Sequence, residues 1–273
     1  MTLARPITPD EIRAYEETGV VHLKGLFDAD WVMRMREALD HCLANPGKLY
    51  HNLSHDDPNG KFSSETFLWH QHPGFRDFIH DSPAGEIAAT VMRSAKANIV
   101  FDQYLVKEPN TAQPTVWHHD LTYWPIKGQN VATLWLALDP VTEETGSMEF
   151  IVGSHKWGQR YHPIAFVDHS KYKTEEQPVP DIDAMRDELE FVRFDYEPGD
   201  CTLHHGLLLH MAGGNRSRTT RRRAYATRWA GDGVVYDPRP NIQSMLWDPP
   251  LQAGDPLDCD LWPKVWPQAG RGA

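Results

Sequence analysis

The sequence predicts a mainly β fold, a sandwich or jelly roll, with α-helices before it. From about residue 97, the chain consists of short runs rich in β-branched and aromatic residues. Turn clusters of Pro, Gly, Asn and Asp separate these runs, and no helical pattern lies between them. The first 96 residues instead show helix caps and apolar residues at helical spacing.

The N-terminal third carries specific helix signals. Thr8 is placed as an N-cap, Pro9 as a first-turn residue and Glu11 as the partner in a capping box. Gly19 predicts the end of this helix, and "VVHLKG" after it predicts a short strand. Asp28 then caps a second helix, and a further helix is expected at residues 83–93.

The strands are expected in a series of short apolar segments. These are "ANIVFDQYLVKEP", "TVWHHDL", "VATLWLAL", "SMEFIVG", "LEFVRFDYEPGD", "TLHHGLLLHMA" and "RRRAYATRWAG". A long polar insert, residues 156–188, interrupts them and is typical of a lid or binding loop. We expect a single domain over residues 1–273: a helical part at 1–96, a β core at 97–230 and a tail at 231–273.

Composition limits the classes of protein. Apolar residues make up 40% and charged residues 24% of the 273, which is typical of a soluble globular protein. No run of about 18 apolar residues occurs, so we expect no membrane partner. The net charge of −11 disfavours nucleic-acid binding, which needs basic surface. Cys42, Cys201 and Cys259 are odd in number and far apart, which favours a reducing cytoplasm over a disulfide framework.

The segment "WHHDL" carries the first half of a candidate metal site. If it ends a strand, His118 and Asp120 point to one face and His119 to the other. One imidazole and one carboxylate on one face need a distant histidine to complete a set of three ligands. Such a set leaves open positions on the metal, which suits a non-haem Fe(II) oxygenase.

The third ligand must come from "LHHGLLLH". In an extended strand His205 and His210 would be about 17 Å apart, at about 3.3 Å per residue, so they cannot share one metal unless the chain turns. We favour His210, on a fresh apolar strand, and expect His204 and His205 to be packed or hydrogen-bonded. His70 and His72 form a second HxH, but no third ligand has suitable spacing, and their region is expected to be helix or loop.

These motifs resemble the phytanoyl-CoA dioxygenase family. The resemblance covers about residues 97–230 and rests on "WHHD", "LWLALDPVTEETGSMEFIVGSH" and "GDCTLHHGLLLHMAGGNRSRTTRR". It implies a double-stranded β-helix, the jelly-roll barrel of cupins, with N-terminal helices packed against it. It also implies an Fe(II)- and 2-oxoglutarate-dependent oxygenase that uses O₂.

The resemblance assigns roles to particular residues. His118, Asp120 and His210 match the metal ligands. Strand alternation alone separates Arg222 from Arg221 and Arg223 without choosing between them, and the resemblance selects Arg221, eleven residues after His210, for the C5 carboxylate of 2-oxoglutarate. Trp135 and Gln103 match positions that line the co-substrate pocket.

Two residues depart from the pattern of the family. His119 stands where the family often has Gln, and Ala212 stands where it often has Ser. These departures affect contacts with the co-substrate and remove no ligand. Asp120 is present, which disfavours a halogenase, since halogenases have a small residue there.

The implied activity is hydroxylation of an unactivated C–H bond of a small molecule, coupled to decarboxylation of 2-oxoglutarate to succinate and CO₂. His119, Thr122 and Trp124 are expected to contact the substrate at the barrel mouth. Two alternatives remain open. The same iron site could catalyse desaturation, epimerisation or cyclisation, or the chain could be a cupin-like metal-binding protein without oxygenase activity. The chain is expected to act as a monomer or homodimer.

Overall fold

The helix caps of the N-terminal sequence form as predicted. The structure, a computed structural model, describes residues 3–54, 57–166, 175–240 and 242–268. The Thr8 side chain accepts a hydrogen bond from the backbone N–H of Glu11, and the Glu11 carboxylate accepts one from the backbone N–H of Thr8. Gly19 ends this helix at φ 87°, a left-handed conformation that favours glycine. The second helix begins behind Asp28, which accepts a hydrogen bond from the backbone N–H of Trp31.

The helices and strands alternate early in the chain, and strands dominate later. The helices are α1 (Pro9–Thr18), α2 (Ala29–Ala44), α3 (Leu68–Gln71), α4 (Pro73–Asp81) and α5 (Ala84–Val91). The first strands are β1 (Val20–Leu23), β2 (Tyr50–Asn52), β3 (Phe62–Thr66), β4 (Ala97–Lys107), β5 (Thr115–His118), β6 (Ile126–Lys127) and β7 (Val131–Ala137). The later strands are β8 (Met148–Ile151), β9 (Phe191–Arg193), β10 (Cys201–His205), β11 (His210–Ala212), β12 (Arg222–Ala230), β13 (Val235–Tyr236) and β14 (Lys264–Trp266).

Two antiparallel sheets form the barrel. The larger has the order β1-β10-β7-β12-β4-β3-β2, with β14 also paired to β4. The smaller has the order β5-β11-β8-β9, and β6 pairs with β13 in a separate ribbon. The predicted jelly roll is therefore confirmed. The part predicted as mainly helical also supplies β1, β2 and β3, so its strands extend both edges of the larger sheet.

Alternation along β12 separates two cores. Tyr225 and Trp229 face the helices, where they pack in a cluster with Phe75, Phe78 and other helical residues. Ala224 and Ala226 face the other way and pack with Trp135 and Phe150 between the sheets. The interior of the barrel therefore receives the even-numbered side chains of β12, from residue 222 to residue 228.

The insert at residues 156–188 contains little regular structure in its described part. Short 3₁₀ turns form at Ser154–Lys156 and Asp183–Glu188, while residues 167–174 lie outside the described residues. Cys42, Cys201 and Cys259 are all free thiols, and the first two are buried. Across the parts of the chain that the structure describes, no helix has the length and apolar character needed to cross a membrane.

Candidate metal centre

The structure brings His118, Asp120 and His210 together, as predicted. His118 is the last residue of β5, and His210, the first residue of β11, is its direct cross-strand partner. Asp120 begins a 3₁₀ turn, Asp120–Tyr123, just after β5. One potential ligand atom from each residue lies within 4.8 Å of the other two, and all three side chains are buried.

Backbone carbonyls fix both imidazole rings. Nδ1 of His118 donates to the carbonyl oxygen of Val116 at 2.8 Å, and Nδ1 of His210 donates to that of Leu208 at 3.0 Å. Because Nδ1 carries the proton in each ring, Nε2 keeps its lone pair and is free to bind a metal.

The two oxygens of Asp120 have different surroundings. Oδ1 lies 3.6 Å from Nε2 of His118, on the side of the two histidines. Oδ2 accepts a hydrogen bond from the Thr133 hydroxyl and lies 3.5 Å from Nε2 of His204 and 3.8 Å from Nε of Arg228. Thr133 is the cross-strand partner of both His204 and Arg228. We call Thr133 on β7, His204 on β10 and Arg228 on β12 the donor row.

The local electrostatics suit a divalent cation. Burial opposes ionisation of Asp120, but the charge of Arg228 and contacts with His118 and His204 hold its pKa well below the usual value. Burial, together with the neighbouring His118 and His204, holds the pKa of His210 well below its usual value. An ionised carboxylate and a neutral imidazole are the protonation states that metal binding requires. Two imidazoles and one carboxylate match the facial triad of non-haem Fe(II) oxygenases.

The cavity beside this cluster also contains Trp135 and Arg222. It is lined by Thr115, Met148, Trp135, Ala212, Arg222 and the three candidate ligands, among others. Arg222 is 2% exposed, and its NH1 donates to the carbonyl of Leu105 at 3.2 Å. Its guanidinium carbon lies 5.6 Å from the centre of a Trp135 ring. No carboxylate is hydrogen-bonded to Arg222 among the described residues, so its charge is available to an anionic ligand.

The structure does not place Arg221 in this cavity, which corrects the expectation from the resemblance. The Arg221 side chain is 41% exposed and is paired with Glu108 at 2.9 Å and with Asp40 at 3.4 Å. Arg223 also lies outside and binds Asp139 at 2.8 Å. The strand begins at Arg222, so alternation turns this residue inward and its two neighbours outward.

The predicted substrate residues separate into two groups. Neither His119 nor Thr122 lines this cavity or the second cavity that adjoins it. Nε2 of His119 accepts a hydrogen bond from the backbone N–H of Tyr161, and the Thr122 hydroxyl lies 2.7 Å from the carbonyl oxygen of Tyr161 and 3.1 Å from the Glu176 carboxylate. Both therefore hold the insert against the barrel. The segment after the HxD motif, expected as a loop at the barrel mouth, instead forms the 3₁₀ turn Asp120–Tyr123.

Trp124 does line a second cavity, which adjoins the first. Its walls include Phe101, Tyr123, Trp124 and Phe166. The two cavities share Leu53, Gln103, Asp120, Phe166 and Arg228. Gln103, predicted to lie near the co-substrate, is therefore at the junction, where its Oε1 accepts a hydrogen bond from NH2 of Arg228 at 3.1 Å.

The donor row was missed as a functional feature. The sequence predicts a packed or hydrogen-bonded His204. The side chain is buried but lines the first cavity, and both its ring nitrogens lack hydrogen-bond partners among the described residues. The sequence around Thr133 and Arg228 carries no motif that predicts a role for either residue. Strand alternation could have identified them. Once the register of β7, β10 and β12 is known, the three side chains lie side by side on the inward face of the sheet.

Comparisons with known proteins agree with this geometry. Residues 15–224 match the family described as Phytanoyl-CoA dioxygenase (PhyH). The chain is 27% identical over 230 residues to the multifunctional dioxygenase prhA of Penicillium brasilianum, covering 80% of this chain and 70% of that protein. It is 26% identical over 212 residues to a 1-deoxypentalenic acid 11-beta-hydroxylase of Streptomyces arenae, covering 72% and 71%.

A solved structure shows the same fold over almost the whole chain. This is the non-heme alpha ketoglutarate dependent carbocyclase SnoK from nogalamycin biosynthesis, with a TM-score of 0.75 and 25% identity. The match covers 97% of this chain and 98% of SnoK. Because the family pattern spans most of the sequence and the triad lies where the family motifs predict it, the chain belongs to the phytanoyl-CoA dioxygenase (PhyH) family.

Proposed function

We propose that the protein is an Fe(II)- and 2-oxoglutarate-dependent dioxygenase that hydroxylates an unactivated C–H bond of a small molecule. The observation that carries this proposal is the presence, in one cavity, of the triad and of the buried Arg222. A metal-binding protein without oxygenase chemistry has no need of a buried cation for a carboxylate beside the metal site.

His118, Asp120 and His210 would hold the iron through one atom each. Asp120 would use Oδ1, because Oδ2 accepts the hydrogen bond from Thr133 and faces His204 and Arg228. Ligands on one face of the metal leave positions for the co-substrate and O₂. The Nδ1–carbonyl hydrogen bonds of the histidines fix their ring orientation before the metal arrives.

Arg222 would hold the C5 carboxylate of 2-oxoglutarate. Its planar guanidinium can donate two parallel hydrogen bonds to a carboxylate and stays protonated in water. Trp135 would form the adjacent apolar wall for the carbon chain of the co-substrate. Ala212, where the family often has Ser, offers no side-chain hydroxyl, so Arg222 carries more of this recognition.

Iron and 2-oxoglutarate, when bound, supply the oxidising chemistry with O₂ and yield succinate and CO₂. The chain itself orients the reactants and excludes water. The aromatic residues Phe101, Tyr123, Trp124 and Phe166 provide apolar walls next to the metal. The His119 and Thr122 contacts keep the insert over this mouth, so that solvent has limited access during turnover.

A second outcome of the same iron chemistry is desaturation, epimerisation or cyclisation. The similarity to the carbocyclase SnoK over 97% of this chain favours keeping this alternative. The two proposals differ in the product. Hydroxylation adds one oxygen atom to the substrate, whereas desaturation and cyclisation remove two hydrogen atoms and epimerisation leaves the mass unchanged.

The cellular setting is also part of the proposal. Three free cysteines favour a reducing cytoplasm. A net charge of −11 disfavours nucleic acid as a partner. We propose a small-molecule substrate, no membrane partner, and a monomer or homodimer as the active form.

The proposal is tested by the turnover of the co-substrate alone. Many enzymes of this chemistry decarboxylate 2-oxoglutarate slowly without their main substrate. We expect succinate formation that requires both Fe(II) and O₂ and is lost in Asp120→Ala. Succinate formation that is equal in the variant would contradict the proposed site.

A further inference from the structure

Arg228 is a buried cation at the junction of the two cavities. Its side chain is 8% exposed, and its guanidinium carbon lies over the adjacent rings of Phe101 and Trp124, at 5.3 and 5.9 Å from their centres. It lines both the first cavity, beside the metal site, and the second cavity, at the barrel mouth. A guanidinium in this position is within reach of a molecule that enters the mouth.

The hydrogen-bonding capacity of Arg228 is only partly used. NH1 donates to the carbonyl oxygen of Ala226 at 3.2 Å, and NH2 donates to Oε1 of Gln103 at 3.1 Å. Nε, buried, has no hydrogen-bond partner among the described residues, and its distance of 3.8 Å to Asp120 is that of a loose ion pair. A guanidinium has five N–H groups, so donors remain for a further acceptor.

The charges of the loaded site leave a positive excess. Asp120 is the sole carboxylate among the described residues that line the two cavities. Arg222, Arg228 and Fe(II) together bring four positive charges, while Asp120 and 2-oxoglutarate bring three negative charges. Burial and the charge of Arg222 hold the pKa of Lys107, the cross-strand partner of Arg222, well below its usual value, so Lys107 adds no charge to this count. An uncompensated buried charge is costly, so the site favours one further anion.

Asp102 compensates Arg228 only in part: its charge acts on Arg228 across the sheet, but no hydrogen bond or ion pair joins the two side chains. It lies one residue before Gln103 on β4 and so faces the opposite side of the sheet. There its carboxylate accepts hydrogen bonds from the Tyr225 hydroxyl and the backbone N–H of Trp69. Burial raises its pKa to about 7, so it is only partly ionised near neutral pH.

We propose that the substrate carries a carboxylate that docks on Arg228, with its apolar part against Phe101, Trp124 and Phe166. This proposal rests on the proposed oxygenase function and adds the chemical class of the substrate: an apolar or aromatic carboxylic acid. The carboxylate would anchor the molecule at the junction of the cavities, and the carbon to be oxidised would then lie close to the anchored end, beside the metal.

The test compares carboxylic acids with their own primary amides, which have similar shape and no charge. The probes are cyclohexanecarboxylate, trans-cinnamate and indole-3-acetate, each beside its amide. Each is titrated anaerobically into protein loaded with Fe(II) and 2-oxoglutarate. The readout is the change in the visible charge-transfer band of the iron–2-oxoglutarate chelate, which gives a dissociation constant without turnover. Formation of the band itself tests the proposed function separately.

The variants are Arg228→Gln, Arg228→Lys and the matched control Arg216→Gln. Arg216 lies at the surface, paired with Glu143, and its loss changes the net charge equally without touching the cavities. In wild type and in Arg216→Gln, we expect at least one acid to bind about tenfold more tightly than its amide, the scale of a hydrogen bond to a charged group. Arg228→Gln should abolish this preference, and Arg228→Lys should retain part of it.

Two results would overturn the proposal. The first is that acids bind no better than amides, or that no probe binds, in the wild type. The second is a preference for acids that survives in Arg228→Gln. If that surviving preference comes with a weaker affinity for 2-oxoglutarate in Arg228→Gln, Arg228 is assigned to the co-substrate instead. If Arg228→Gln does not fold or bind iron, the wild type and Arg228→Lys decide. Equal binding of acid and amide in the wild type, or a preference for acids that is undiminished in Arg228→Lys, contradicts the proposal.

Discussion

Oδ1 of Asp120 lies 3.6 Å from Nε2 of His118, whereas Oδ2 accepts a hydrogen bond from the hydroxyl of Thr133. The carboxylate is thus held by one oxygen so that the other faces the histidines. Two further donors, on His204 and Arg228, lie near the same Oδ2. The donor row therefore orients Asp120 as a ligand with a single oxygen, which leaves room for the co-substrate.

Removal of the Thr133 hydroxyl should weaken iron binding. Thr133→Val keeps the shape of the buried side chain but leaves Oδ2 without its closest donor. We expect the affinity for Fe(II) to fall roughly tenfold, the usual effect of losing a group that supports a metal ligand. Thr133→Ser, which keeps the hydroxyl, is the control. Metal titration in competition with a chelator measures the change, and equal affinity in the Val and Ser variants would contradict the role of the row.

Arg222 and Arg221 provide a matched pair of variants. Arg222→Met should raise the dissociation constant of 2-oxoglutarate by roughly 10- to 100-fold, because a charged hydrogen-bond donor is lost from a buried site. Arg221→Met should leave it near the wild-type value, since Arg221 binds Glu108 and Asp40 at the surface. Calorimetry on the metal-loaded protein measures both constants. A larger rise of the dissociation constant in Arg221→Met than in Arg222→Met would assign the C5 carboxylate to Arg221 instead.

This pair shows where prediction from sequence stops. The motifs identified the three candidate ligands, because the spacing of His118, Asp120 and His210 reflects their chemistry directly. The inward face of β12 depends instead on where the strand begins after the turn at residues 213–221. Nearby Asp139, Glu108 and Asp40 hold Arg223 and Arg221 outside, and those contacts join residues far apart in sequence.

The fold was predictable to a similar degree. Short runs rich in β-branched and aromatic residues located β4, β7, β8 and β12, and the caps at Thr8 and Asp28 located α1 and α2. The positions of β1, β2 and β3 in the larger sheet were not predictable, since partners in a sheet are set by packing over long sequence distances. The 3₁₀ turn after β5 has no clear sequence pattern, so the sequence alone predicts His119 and Thr122 at the mouth.

The hydrogen bonds of Thr122 to the insert should protect the insert from proteases. Thr122→Val removes a hydrogen bond to the Tyr161 carbonyl and one to Glu176, each worth about 1 kcal/mol. We expect limited proteolysis within residues 157–188 to become several-fold faster, while Fe(II) affinity stays unchanged because Thr122 lines neither cavity. Thr122→Ser should behave as wild type. Unchanged cleavage in the Val variant would show that other contacts hold the insert.

His205 should make the stability of the fold sensitive to acid. Burial, together with the nearby His155, lowers its pKa to about 4, against about 6.5 in an unfolded chain. The unfolded state therefore binds more protons between these values. This contribution to stability is complete above pH 6.5 and is lost as the pH falls towards 4, by up to about 1.4 kcal/mol per pH unit.

His205→Asn tests this dependence. Nδ1 of His205 accepts a hydrogen bond from the backbone N–H of Leu207, and the amide oxygen of Asn can replace that acceptor. The free energy of unfolding in urea would be measured at pH 7.5 and 5.5 for both proteins. We expect the loss of stability on acidification to be smaller in the variant, by roughly 1 kcal/mol. An equal loss in both proteins would assign the acid sensitivity to other groups.

The central claim is that iron and 2-oxoglutarate bind together at the triad. The measurement that tests it most directly is an anaerobic titration of the Fe(II)-loaded protein with 2-oxoglutarate, followed by visible absorption. We predict a weak charge-transfer band that saturates at one equivalent in the wild type and is absent in His210→Ala. A wild-type protein that binds iron and develops no such band would contradict the account.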